Sequence, residues 1–425
     1  MKMQLKKQLL SVVTTGTILL NMVSPAFAAT LIISGNGADS TSDVKLDLKQ
    51  STTVVQSNTA DVKNDIDADS DTGNNDANKN TGGSVTVETG DASTDVKVDN
   101  QLNSNSAQVD CCANQSLDVL IAGNGAESDN KVDLKAKTET FVGQYNDAEV
   151  DNYVDADADT GDNDANKNTG GDVEVTTGDA STSVDVATTA NANWAKVGGG
   201  SDQGGSVSLR ILGNGADSKN KIDLDLDKSL ELVQDNKADI KNDVDADADT
   251  GNNDANKNTG GEVSIETGDA DVDVEVDNMA NFNWADVDCG GCLLDVLAKV
   301  ADNGADTKND IKAKLSDELG VFQANCDDKN EVSLWDWDWD RSDCEIDNYV
   351  DADADTGDND AKENTAGGYG GDPSVTTGDA DTTVDVSNAG NSNVYGSGTP
   401  SDWPDFEFNF NLSLSWAQLM ALLGN

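Results

Sequence analysis

The feature that most constrains this chain is internal repetition. An acidic run recurs four times, as DIDADSDTGNNDANKNTGG from Asp65, VDADADTGDNDANKNTGG from Val154, VDADADTGNNDANKNTGG from Val244 and VDADADTGDNDAKENTAGG from Val350. A second landmark, Gly-Asn-Gly-Ala, ends at Ala38, Ala126 and Ala216, with a variant copy ending at Ala305, and the steps between these alanines are 88, 90 and 89 residues. A period held this closely means that each unit buries its apolar face on its neighbours rather than folding alone.

Within each long repeat lie shorter landmarks. The alanines Ala126, Ala148, Ala165, Ala180 and Ala195 are spaced by 22, 17, 15 and 15 residues, and the first and third repeats give the same four spacings. Between them, apolar and polar residues alternate, as in the run from Val272 to Asp277. Period-two alternation sends one side chain in and the next out. Gly, Asn and Asp cluster between the runs and mark turns. Recurrent asparagines, Asn191 with Asn193 and Asn281 with Asn283, are placed to stack as ladders between coils. The expected fold is therefore all-β, a parallel β-solenoid (β-helix) of short coils in four repeats of about 89 residues. Each short unit is read as one coil, so about twenty coils make a rod roughly 90–100 Å long. The alternative is a string of tandem immunoglobulin-like β-sandwiches, for which this period is a sensible size. The expected divisions are 1–28 as a signal peptide, repeats at 29–118, 119–207, 208–295 and 296–396, and 397–425 as a C-terminal cap or interaction segment.

The leader reading rests on Lys2, Lys6 and Lys7, the apolar stretch Leu9 to Val23, and the small-x-small site Ala26-Phe27-Ala28. It implies a secreted or cell-surface protein with no transmembrane segment in the mature chain. Formal charge is -54, and loss of the three leader lysines takes it to -57. Such a chain repels nucleic acid and attracts cations. The chain has no histidine, which removes histidine acid–base catalysis, Ser-His-Asp triads and histidine metal sites together. No enzyme activity is expected. Six cysteines in an exported chain point to disulfides before zinc.

The candidate metal ligands are the carboxylates of the four acidic runs. They are Asp67, Asp69, Asp71 and Asp76; Asp155, Asp157, Asp159, Asp162 and Asp164; Asp245, Asp247, Asp249 and Asp254; and Asp351, Asp353, Asp355, Asp358 and Asp360. Calcium takes six to eight oxygen ligands, and turns rich in Asp, Asn, Thr and Gly offer them. Like charges on strands about 4.8 Å apart cost about 3–4 kcal/mol per pair at an effective dielectric near 20, before salt screening. Calcium is therefore the expected cofactor. The runs resemble the Asp-x-Asp-x-Asp-Gly loops of EF-hands, dockerins and thrombospondin type 3 repeats, but Gly161 and its equivalents fall one position late and no glutamate closes a twelve-residue loop. Those loop geometries are not carried over.

The fourth repeat carries an insert, 326–344, bracketed by Cys326 and Cys344, which are expected to pair and clip the base of a hairpin. Its Trp335, Trp337 and Trp339 alternate with Asp and form a candidate surface for a glycan or a cell-surface protein. Cys289 and Cys292 are placed to bridge locally, and the pairing of Cys111 and Cys112 stays open. From Phe406 to Trp416 the chain again alternates, which reads as a solenoid cap or as a strand that adds to another subunit or partner.

Thr-Gly-Asp-Ala also recurs, from Thr89, Thr177, Thr267 and Thr377. With it, the stretch 31–395 resembles the long acidic repeat proteins exported by bacteria, including those with such repeats in candidate-phylum lineages. The resemblance implies surface display. The expected function is structural or adhesive and calcium-stabilised, with self-association open. The alternatives are a glycan-binding or carbohydrate-active β-helix and a metal-sequestering acidic matrix protein.

Overall fold

The computed structural model describes residues 27–109, 115–198, 206–288, 295–326, 344–365 and 372–396. All regular structure among them is β-strand. The first coil contains β1 (Phe27–Ser34), β2 (Thr41–Asp71), β3 (Val85–Glu88) and β4 (Ala92–Val109). The second contains β5 (Gln115–Ala122), β6 (Asp129–Asp159), β7 (Val173–Thr176) and β8 (Ala180–Gly198). The third contains β9 (Ser206–Leu212), β10 (Lys219–Asp249), β11 (Val263–Glu266) and β12 (Ala270–Asp288). The fourth contains β13 (Asp295–Ala301), β14 (Lys308–Asn325), β15 (Ile346–Asp355), β16 (Ser374–Thr376) and β17 (Ala380–Tyr395).

Strands pair only with their counterparts in neighbouring repeats, always parallel. The four sheets run β1-β5-β9-β13, β2-β6-β10-β14 with β15 also on β10, β3-β7-β11-β16, and β4-β8-β12-β17. The fold is thus the parallel β-solenoid that the repeats lead one to expect. Tandem sandwiches are ruled out, because the sheets are made between repeats rather than within one.

The coil length differs from the sequence reading. One coil is a whole repeat: Asp129 pairs with Thr41 on one side and Lys219 on the other. The reason is visible in β6, one unbroken strand of 31 residues whose in-and-out alternation returns to the same phase on either side of the buried Gly143. The alanine landmarks mark successive places around one coil. Ala60 lies in β2, Ala77 in a turn, and Ala92 and Ala107 in β4. A dimension of about 100 Å survives as the contour of the 31-residue strand, while four stacked coils rise only about 15 Å. The first strands of coils two to four straddle the divisions expected at 118, 207 and 295.

Each coil folds back on itself in two layers. At one end Leu117, Val119 and Ile121 of β5 pack with Val132 and Leu134 of β6. At the other, Val154, Ala156 and Ala158 of β6 pack with Ala180, Val184 and Val186 of β8. Between them, two smaller apolar clusters flank columns of buried, hydrogen-bonded asparagines. Asn58 donates to Asn146, Asn146 to Asn236 and Asn236 to Asn325 along one column. Asn105, Asn193, Asn283 and Asn393 form a second. Cross-layer bonds such as Asn146 to Asn193 (2.9 Å) and Asn236 to Asn283 (3.0 Å) join the two. A third column, Asn103, Asn191, Asn281 and Asn391, has φ of 54–63° and shifts the alternation of each return strand by one residue. Asparagine tolerates this left-handed conformation better than most residues. The expected ladders at Asn191, Asn193, Asn281 and Asn283 are therefore present.

The insert interrupts the long strand of coil four. β14 ends at Asn325 opposite Asn236, and β15 resumes at Ile346 opposite Ile240. Cys326 and Cys344 are disulfide-bonded between them, with Cα atoms 5.4 Å apart. Closing a loop of this separation contributes about 3 kcal/mol in the chain-entropy account. It also keeps the two half-strands in line with the single strand β10 below.

Candidate functional site

The odd-numbered residues of β6 point outward, so the acidic run lies on the outer face of the second sheet. In-register stacking turns the four runs into columns. Asp67, Asp155, Asp245 and Asp351 form one, Asp69, Asp157, Asp247 and Asp353 the next, and Asp71, Asp159, Asp249 and Asp355 the third. Asp61, Glu149 and Asp239 form a further acidic column, while some outer columns mix charge from coil to coil. Lys63, Asp151, Lys241 and Asp347 alternate completely, and Asp47, Lys135, Asp225 and Lys314 do the same. Salt bridges such as Lys97–Asp185 and Lys314–Asp225 follow from such placement. The three aspartate columns contain no lysine at any level.

The carboxylates respond to this crowding. Burial pushes Asp159 up to about 6, and Asp249, Asp162 and Asp71 add to the rise while the Gly161 N–H opposes it. Burial likewise lifts Asp247 to about 6, helped by Asp245, Asp157, Asp353 and Asp351. Asp157, Asp245, Asp249 and Asp254 are also raised, burial first and neighbouring carboxylates next.

The turn that follows serves the backbone. The carboxylates of Asp71, Asp159, Asp249 and Asp355 accept from the N–H of Gly73, Gly161, Gly251 and Gly357 at 2.6–2.8 Å. Asp76, Asp164, Asp254 and Asp360 form a bridge column of their own, and Asn78 and Asn166 donate to the first two. Asp162 and Asp358 sit at turn tips with φ of 57° and 52°. Gly161 is required by the stacking itself, since a Cβ there would stand 2.1 Å from the Gly251 carbonyl oxygen. Gly161→Ala is expected to destabilise the fold by about 2–3 kcal/mol through overpacking, read as a lowered urea midpoint.

Among the described residues, no group of three acidic, cysteine or histidine side chains has the arrangement to hold one metal ion. Strand geometry explains this. Same-face carboxylates on one strand are about 6.6 Å apart at the backbone, and stacked ones about 4.8 Å. The array sets carboxylates in pairs along each column. It does not form a closed loop chelate.

Two neighbours of the array were not singled out from sequence. Asp65 and Asp243 extend it by one column, separated by Tyr153. The Tyr153 ring lies 5.3 Å from Lys63 Nζ and 5.2 Å from Lys241 Nζ, and Lys241 donates to its hydroxyl at 3.0 Å. This cation–π pair marks where lysine relief stops. Aligning the repeats at their 88- and 90-residue offsets displays both columns, so the signal was present in the sequence.

Trp335, Trp337, Trp339, Cys289 and Cys292 lie outside the described residues, as do Cys111 and Cys112. No described helix is long and apolar enough to cross a membrane. Compared with protein-family models, curated proteins and solved structures, the chain matches none.

Proposed function

We propose that this protein is a secreted or cell-surface structural scaffold, adhesive in use, whose aspartate face takes up divalent cations, calcium first, as bridges between coils. One observation carries the reading: three successive outer columns carry aspartate at all four levels, with no lysine at any of them. Stacked carboxylates repel, and a cation shared between two levels converts that repulsion into attraction. Hard divalent ions with oxygen ligands and loose geometry suit such a surface, which favours calcium over the more demanding magnesium. The leader and the Cys326–Cys344 disulfide support export. On this reading the protein has no catalytic role, and its outer surfaces serve contact with a cell-surface protein or glycan.

Equilibrium dialysis against calcium tests the proposal. The mature protein is expected to bind several calcium ions, and Asp157→Asn with Asp247→Asn is expected to remove the tightest of them. Unchanged stoichiometry and affinity in the double variant would place binding elsewhere.

A further inference from the structure

The two ends of the solenoid are complementary. Inward-facing residues bond through their backbone to the coil that follows, and outward-facing ones to the coil before. Buried Ala270 donates its N–H to the Asp379 carbonyl at 2.9 Å, while exposed Lys308 donates to the carbonyl of buried Ser218 at 2.8 Å. At coil four the inward residues therefore present their backbone groups to the end of the stack, and at coil one the outward residues do. Exposure is uneven in the same sense. Val384 in β17 is 46% exposed and Leu315 in β14 67%, whereas Val96 at the opposite end is 4% exposed. Among the described residues, no strand pairs beyond either end. Such edges are templates for another chain.

The outer columns select what fits. Lys63, Asp151, Lys241 and Asp347 alternate in sign, as do Asp47, Lys135, Asp225 and Lys314. Four coils hold a whole number of these periods. A second copy with its coil one on this coil four sets Lys63 over Asp347 and Asp47 over Lys314, so both alternations continue. The neighbouring column, Asp65, Tyr153, Asp243 and Tyr349, agrees. Tyr153 has Lys63 on one side and Lys241 on the other. Tyr349, 59% exposed, would meet Lys63 of the next copy as Tyr153 meets Lys241. A buried column points the same way. Asn103 donates to Asn191, Asn191 to Asn281 and Asn281 to Asn391. Asn103 Oδ1, buried at the start of that column, has no hydrogen-bond partner among the described residues, and Asn391 of a preceding copy supplies the missing donor.

We propose that this chain assembles head to tail, coil one of each copy stacking on coil four of the one before, so that the sheets run on into an open filament. The interface is heterologous and does not close. A head-to-head pair of coil-four ends would run the strands antiparallel and break both charge columns. The joint also sets Asp67, Asp69 and Asp71 over Asp351, Asp353 and Asp355, the pairing that the chain already carries between its own coils. The proposal goes beyond the cation reading and does not rest on it.

Cysteine pairing in the mature chain tests it, in calcium and in chelator. Lys63→Cys with Asp347→Cys places the thiols three levels apart within a chain, about 14 Å, but one level apart across the joint, about 4.8 Å and within disulfide reach. Lys63→Cys with Tyr349→Cys moves one thiol along the strand, to about 8 Å across the joint and beyond reach. Under mild oxidation in at least one of the two media, the first pair is expected to give a ladder of covalent multimers roughly tenfold more abundant than the second gives, with the 63–347 link identified by peptide mass mapping. Single chains in both media, as when a segment of the same chain lies over coil four, would overturn the proposal. So would equal yields, or 347–347 links in dimers that grow no further. Should the cysteine variants not fold, sedimentation of the unaltered chain and of Leu315→Lys decides. Leu315 stacks on Leu226 and would lie under Leu48 of the next copy. Lysine there is solvated in a single chain and buried at the joint. The unaltered chain is expected to sediment as multimers and the variant as single chains of unchanged circular dichroism. Multimers that persist in the variant overturn the proposal.

Discussion

Asn193→Leu is expected to lower stability by on the order of 3–5 kcal/mol, more than a typical core substitution. Asn193 is 1% exposed. It accepts from Asn105 at 3.0 Å and Asn146 at 2.9 Å, and donates to Asn236 at 2.8 Å and Asn283 at 3.0 Å. Leucine fits the volume but removes four bonds at once and leaves each of four neighbours with one bond fewer, though Asn105, Asn146, Asn236 and Asn283 each keep another partner. In a low-dielectric interior each lost bond costs about 1 kcal/mol. Urea unfolding of the mature protein reads the effect. A loss below about 1 kcal/mol would mean that the ladders fill space without holding the coils in register.

The second large effect is an inverted pH dependence. Without divalent ions, the protein is expected to melt higher at pH 4.5 than at pH 7.5. Asp159 and Asp247 titrate near 6 in the folded chain, against 3.8 for the ordinary carboxyl. Between those values the folded state holds more protons than the unfolded one, so stability falls as pH rises through the window. Below about 4 both states are protonated and the gain is complete. Most proteins lose stability over this range, because their carboxylates are paired. Thermal melts in chelator across pH 4–8 check the sign, and a melting temperature that rises with pH would show that the columns are relieved by lysine after all.

Much of this architecture was legible in the sequence, for a definite reason. In a parallel stack each residue sits on its own equivalent, so a repeat held to 88–90 residues is already the register, and Asn191 over Asn281 follows from spacing alone. The Cys326–Cys344 pair was legible because it brackets an insertion that must leave and rejoin one strand. Coil length was not. A chain that alternates through Thr41–Asp71 without Gly or Pro looks the same whether it turns often or runs straight, and the alanine spacing suggested the former. The acidic runs were visible as candidate ligands, but their arrangement was not. Chelation requires side chains that converge, and a flat outer face spreads Asp155, Asp157 and Asp159 along a line. What distinguishes them is that three successive columns carry aspartate at every level, which appears only once the coils are stacked.

The most direct test of the cation-bridged scaffold is a thermal melt of the mature protein by circular dichroism at pH 7.5, with millimolar calcium and then with chelator. The account predicts a melting temperature substantially higher with calcium. Asp157→Asn with Asp247→Asn should shrink the difference and raise the chelated melt. An identical melt in calcium and chelator would contradict it, leaving the aspartate columns as a solvated surface on a solenoid held by its apolar core and asparagine ladders.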